Sequence, residues 1–189
     1  MKRILLILSC LLLTIGPVLA ATDGGLLAAL DFGAAPSADM LCTAGPCAGG
    51  KIALSHRAST QKVSFYKKPT DLTHIDGVEI TAPVYAYHQE QLFQVAFKLI
   101  GPVEQGDLLI DALLNAMPAP TLIFNHFDAG GSHEGRQSFG YLLGNGWLLN
   151  ASRTLVDGRW QAPHIQLYEP GRMDEVRLAF NPSYQPHDD

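Results

Sequence analysis

The sequence predicts an α+β fold: an antiparallel sheet, built from hairpins and a C-terminal meander, packed in two layers on one main helix. Three observations carry that expectation. Phe93, Val95, Phe97 and Leu99 alternate with polar or small residues, the period of a strand with one buried face. Gly144-Asn145-Gly146 and Asp157-Gly158 are hairpin signals between apolar runs. Leu109, Ile110, Leu113, Leu114 and Met117 form a single helical stripe, the one such stripe in the chain. Hairpin signals outnumber strand–helix–strand alternation, which favours antiparallel pairing with a helix on one face.

Residues 1–20 have the three parts of a cleavable signal peptide. Lys2 and Arg3 form a positive head, Ile4 to Ile15 an apolar core, and Gly16-Pro17 a break before Val18-Leu19-Ala20. Small side chains at the −3 and −1 positions place cleavage between Ala20 and Ala21. The apolar run is about a dozen residues, short of the about 20 needed to span a membrane. Ile7-Leu8-Ser9-Cys10 resembles a lipobox, but lipidation at Cys10 leaves most of the apolar run beyond the cut. Cys10 is therefore assigned to the discarded segment, and the chain is expected to be periplasmic or secreted. No later stretch is apolar enough to predict an integral membrane segment.

Within the rest of the 189 residues, 21–50 read as a small-residue-rich segment with a cysteine loop, 51–180 as one globular domain and 181–189 as a loose polar tail. Removing Lys2 and Arg3 leaves 11 basic against 18 acidic residues, a net charge of −7 with histidines neutral. That balance excludes nucleic acid as the expected partner, because phosphate backbones select clustered Lys and Arg. Cys42 and Cys47 remain, spanning Thr43-Ala44-Gly45-Pro46. In an oxidising compartment this pair predicts a disulfide across a Gly-Pro turn. The four-residue spacing is not the C-x-x-C of a redox motif.

The elements then follow in order. A helical turn is expected near Pro36–Met40 and a loop over 43–50. Strands are expected at Lys51–His56 and Lys62–Lys67, the second ended by Pro69. Val78–Tyr87 and Leu92–Ile100 predict a hairpin through His88-Gln89-Glu90-Gln91, with Pro83 marking an edge or bulge because it cannot donate to a ladder. The helix is expected over Asp107–Met117, stopped by Pro118 and Pro120. Thr121–Phe127 reads as a strand, and Asp128–Arg136 as a loop. The meander runs Phe139–Leu143, Trp147–Ala151 extended by Arg153–Val156, Arg159–Trp160, Ile165–Tyr168 and Val176–Phe180, the last two joined across Pro170-Gly171.

The densest chemistry lies in Asn125-His126-Phe127-Asp128-Ala129-Gly130-Gly131-Ser132-His133-Glu134. His126, Asp128, His133 and Glu134 offer the imidazole and carboxylate donors of a divalent metal site. The spacing matches no metal motif, and a solvated inter-strand loop has the same composition. Ser132 beside His133 lacks the G-x-S-x-G elbow of a hydrolase. Catalytic residues are therefore unassigned and no cofactor is expected, a divalent metal at this loop being the sharper option. Asn150-Ala151-Ser152 has the form of a glycan acceptor at a mid-strand position. The function these readings favour is a non-enzymatic exported domain binding a partner protein or small ligand. Its alternatives are a metal-dependent hydrolase built on the loop, and a structural accessory of an envelope assembly.

Overall fold

A computed structural model describes residues 30–57, 62–71, 73–75, 78–102, 106–130 and 133–185. The signal segment with Ala20, Ala21 and Cys10, and also Ser132, lie outside the described residues. Strands β1 (Leu41–Ala44), β2 (Lys51–Arg57), β3 (Val63–Lys67), β4 (His74–Ile75), β5 (Val78–Glu79), β6 (Val84–His88) and β7 (Gln91–Lys98) precede helix α1 (Gly106–Asn115). After it come β8 (Thr121–Ala129), β9 (Gly135–Leu142), β10 (Leu148–Val156), β11 (Arg159–Trp160), β12 (His164–Tyr168) and helix α2 (Pro170–Phe180).

These form one ten-stranded sheet in the order β2-β1-β3-β6-β7-β12-β10-β9-β8, with β11 beside β10; β4 and β5 pair separately. The pairings are antiparallel except β1 with β2. Strands hold 47% of the described residues and helices 15%, so the described protein is mostly β and not a two-layer α+β sheet on one main helix.

The correction has a local cause at each end of the chain. Val176, Leu178 and Phe180 alternate like a strand, yet the segment is helical. Pro170 sits at the helix start, where its missing N–H costs nothing, and the Glu169 carboxylate accepts from Arg172 N at 3.1 Å. The Pro-Gly pair therefore opens a helix, not a turn between strands. At the other end, the expected loop 43–50 begins inside β1, which fills the slot between β2 and β3. The Cys42–Cys47 disulfide joins β1 to the following turn, with Cα atoms 6.0 Å apart.

Alternation along the central strands divides the sheet into two unequal faces. On one, Val95 and Phe97 of β7, Ile165 and Leu167 of β12, and Leu149 and Ala151 of β10 are fully or almost fully buried. The α1 stripe of Leu109, Ile110 and Leu113 packs into this same cluster, continuing with Tyr66, Tyr85, Tyr87 and Cys42. The other face meets α2: Val63, Phe65 and Ala86 pack with Met173 and Val176, joined by Phe93, which the register shift between Ala86 and Tyr87 turns away from the side of Val95, Phe97 and Leu99 where its alternation had placed it. The two helices thus belong to opposite faces of the sheet.

The β6–β7 hairpin forms where expected, with Gln89 and Glu90 both at positive φ, 51° and 63°. The preceding strand does not run unbroken from Val78. Buried Pro83 interrupts it, so Val78–Glu79 pairs with β4 and Ile80 makes a lone bridge to Leu99.

Two predictions follow from this packing. Ile165→Ala, in the fully buried centre of β12, should cost about 2–5 kcal/mol, read as a lower urea midpoint at unchanged slope. Asp71 carries a buried Oδ2 without a hydrogen-bond partner. Burial raises its carboxyl above the ordinary 3.8, partly offset by the nearby Tyr85 hydroxyl. A raised folded value gives stability that is full below 3.8 and lost as pH rises through the folded value. Asp71→Asn should therefore raise the melting temperature at neutral pH, and the gain should shrink on acidification below about pH 4, the ordinary carboxylate range.

Candidate functional site

The segment singled out by its chemistry, Asn125 to Glu134, is the far end of the long β8–β9 hairpin. Its first half is strand. Thr, Leu, Ile and Phe favour extended backbone, and β8 pairs with β9 from Thr121–Leu142 to Ala129–Gly135, with an irregularity at Ile123. The loop expected over 128–136 shortens accordingly, closed by Gly130 N donating to Glu134 O at 3.1 Å.

β8 is the last strand of the sheet and is exposed along its whole length. Leu122, Ile123, Phe124 and Phe127 each keep between 41% and 53% of their surface in water. The two aromatic rings lie over glycines of the neighbouring strand, Phe124 over Gly140 and Phe127 over Gly135, where any Cβ would collide with the ring. Those glycines are required by close approach, and each gives an edge ring a flat backbone to rest on.

The two faces of this hairpin differ. On the α1 side, Phe127 meets Trp160 edge-on at 6.1 Å, and the Arg153 guanidinium lies 4.5 Å from the Trp160 ring centroid. Arg153 donates from Nε and Nη2 to Gln137 Oε1 at 3.0 and 2.8 Å, and from Nη1 to Asp107 Oδ1 at 2.9 Å. Gln137 in turn donates to Asn125 Oδ1 at 3.2 Å. This chain ties α1, β10, β9 and β8 together. No motif marks it, although one signal is legible in the sequence: Arg153 follows Leu149 and Ala151 at period two, a cation on the core-facing side of a strand.

On the opposite face His126 Nε2 and Asp128 Oδ1 are 2.7 Å apart, with side chains 66% and 71% exposed. Beyond them opens a shallow groove of about 530 Å³, lined by Asp128, Glu134, Arg136, Thr154 and Val156 among others. His133 accepts Gly158 N through its carbonyl at 2.9 Å, and its ring lies beside that glycine at the β10–β11 turn. The hairpin thus brings His126 and Asp128 together and places His133 toward β11. Deeper on this face His164 is held below its ordinary value, by burial first and then by the charges of Lys98 and Arg136.

Among the described residues, the His/Cys/Asp/Glu set whose ligand atoms converge within 4.8 Å is Cys42, Cys47 and His56, not one from the loop. Both sulfurs of that set are joined in the disulfide, which removes the thiolates a metal needs. His56 Nε2 lies 3.0 Å from the Gly45 carbonyl. Asn150, of the glycan-acceptor triplet, lies mid-strand in β10 with a buried Oδ1.

Arg153→Met, which keeps the apolar stem, should destabilise the protein by about 1–3 kcal/mol by leaving Gln137 Oε1 without its donors and Trp160 unstacked. Asp107 is 73% exposed, so Asp107→Asn should change stability by less than about 0.5 kcal/mol. Equal losses in thermal melts would place the energy in the ion pair instead. No family model, curated protein or solved structure matches this chain.

Proposed function

We propose that this chain is an exported, non-enzymatic binding domain that engages a protein partner along the free edge of β8. The observation that carries the reading is the edge itself: nine residues of extended backbone at the end of the sheet, bearing four large, half-exposed apolar side chains.

Free sheet edges invite pairing with other chains, and proteins blunt them with Lys, Pro, short length or strong bulges. The opposite edge strand, β2, is framed by Lys51 and Arg57. β8 contains no Lys, Arg or Pro, and its one irregularity, at Ile123, leaves the regular pairing from Phe124 to Ala129 intact. Such an edge suits strand addition, where main-chain hydrogen bonds supply affinity and alternate side chains supply selectivity. The signal-type N-terminus and the disulfide support export, since a cysteine pair persists as a bridge in an oxidising compartment. A periplasmic or extracellular setting also fits the acidic balance of the mature chain.

A photo-crosslinking residue at position 123, in the full chain expressed with its own signal, tests the reading. One discrete adduct from position 123, and none from position 183 in the C-terminal segment, is the expected result. Phe127 carries the second test: with the crosslinker moved there, Ile123→Lys should reduce the adduct about tenfold, since a charge on an edge opposes strand pairing. Absence of an adduct at both β8 positions, or an adduct indifferent to Ile123→Lys, overturns the proposal.

A further inference from the structure

At the other half of the sheet, α2 crosses over β3, β6 and β7 and leaves a cleft beside the β6–β7 turn. The cleft has a volume of about 140 Å³, and its walls include His88, Gln91, Phe93, Arg172, Glu175 and Val176. His88 is the last residue of β6 and only 8% exposed, yet its Nε2 is buried with no hydrogen-bond partner. A buried polar nitrogen left unpaired costs about 1–3 kcal/mol, so its position requires a reason. The ring it pairs with, Phe180, lies 6.2 Å away centroid to centroid and offers no polar atom.

Arg172 is held at the same cleft by contacts that fix its orientation. Its Nη1 donates to Gln91 Oε1 at 2.7 Å, and Nε faces Glu169 Oε2 at 3.5 Å. The guanidinium packs against Gly33, where any Cβ would collide with it. A guanidinium has five N–H donors, and these contacts engage two of them. Gln91 accepts from Arg172 through its oxygen, which leaves its amide N–H groups free to donate. The donors therefore outnumber the acceptors, and Phe93 and Val176 supply an apolar wall.

We propose that this cleft binds a small organic monocarboxylate, with its carboxylate on Arg172 and on the Nε2–H of His88, and its short apolar tail against Phe93 and Val176. The volume matches an engineered cavity of about 150 Å³ that takes a benzene, which sets the ligand at about six heavy atoms. Exposed Glu175 contributes a negative charge at the rim, which opposes a dianion more than a monoanion. The site lies on β6, β7 and α2 and is independent of the β8 edge.

The test is a titration of the isotope-labelled, oxidised protein with propionate, followed by NMR at the His88 ring and the Gln91 side-chain amide. A saturable shift confined to the cleft, with a dissociation constant of about 1 mM or below, is expected. Arg172→Gln should weaken it at least about tenfold, the scale of one charged hydrogen bond. His88→Phe, which fills the space with a ring of similar size, should remove it. Glu175→Gln, at an exposed position that leaves the core untouched, should admit succinate or inorganic phosphate severalfold better relative to propionate. No saturable shift up to about 50 mM propionate overturns the proposal. So does binding that ignores Arg172→Gln, or a propionate-to-phosphate preference unchanged in Glu175→Gln; this last arm holds even where the Arg172 or His88 variants fail to fold.

Discussion

The pairing of β7 with β12 is the constraint on which the rest of the structure depends. β7 ends the first series of hairpins and β12 ends the second, and their register runs from Lys98–His164 to Gln94–Tyr168. More than sixty residues of chain, including α1 and the whole β8–β11 excursion, close between them. That closure converts two small meanders into one sheet. The strands it joins bring Val95, Phe97, Ile165 and Leu167 onto a single face with no exposed surface to speak of, and α1 has a floor to pack on only once they are side by side. A long-range ladder of this kind must close its loop before its contacts repay the lost chain entropy. The local hairpins on either side are the parts of the fold able to form first.

A sheet of this width has consequences for its margins. Central strands are covered, on one face by α1 and on the other by α2 over β3, β6 and β7. The α1 cluster extends to Phe139 and Tyr141 of β9 but leaves β8 exposed along its length, and that margin is stiffened by polar and aromatic contacts within the sheet. Arg153 does there what apolar packing does at the centre. Its guanidinium stacks on Trp160, fills the acceptors of Gln137 and reaches Asp107 at the start of α1. A planar, multiply donating cation suits a position that is shielded on one side and open to water on the other.

Much of this architecture was legible in the sequence because it is local. The β6–β7 hairpin, the α1 stripe, the turns at Gly144-Asn145-Gly146 and Asp157-Gly158, and the Cys42–Cys47 bridge all depend on residues within about ten positions of one another. Where reading failed, the deciding partner was distant or the local code was ambiguous. Val176, Leu178 and Phe180 fit a period of two, but the Glu169 cap and Pro170 at the first turn fix a helix whose single buried residue is Val176. β1 has no alternating pattern of its own and exists because β2 and β3 lie on both sides of it. The total extent of the sheet was illegible for the same reason: β7 and β12 carry no mark that they will be neighbours. In the candidate site, composition found His126 and Asp128 but gave no hint of Arg153 and Trp160, which reach the hairpin from other strands.

The exposure of those polar residues bears on what the hairpin is suited to do. His126 and Asp128 form a close pair, but each side chain keeps about two-thirds of its surface in water. A hydrogen-bonded pair this open to water interacts weakly and is readily rearranged, so it does little to stabilise charge developing in a reaction. The same weakness is an advantage at a contact surface. Groups already solvated and loosely held exchange water for a partner's donors and acceptors at small cost, while neighbouring Phe124 and Phe127 supply the apolar area that drives association. On the proposed reading, the His126–Asp128 pair and the four apolar side chains belong to one edge: apolar anchors along the strand, with a polar pair to select register and orientation.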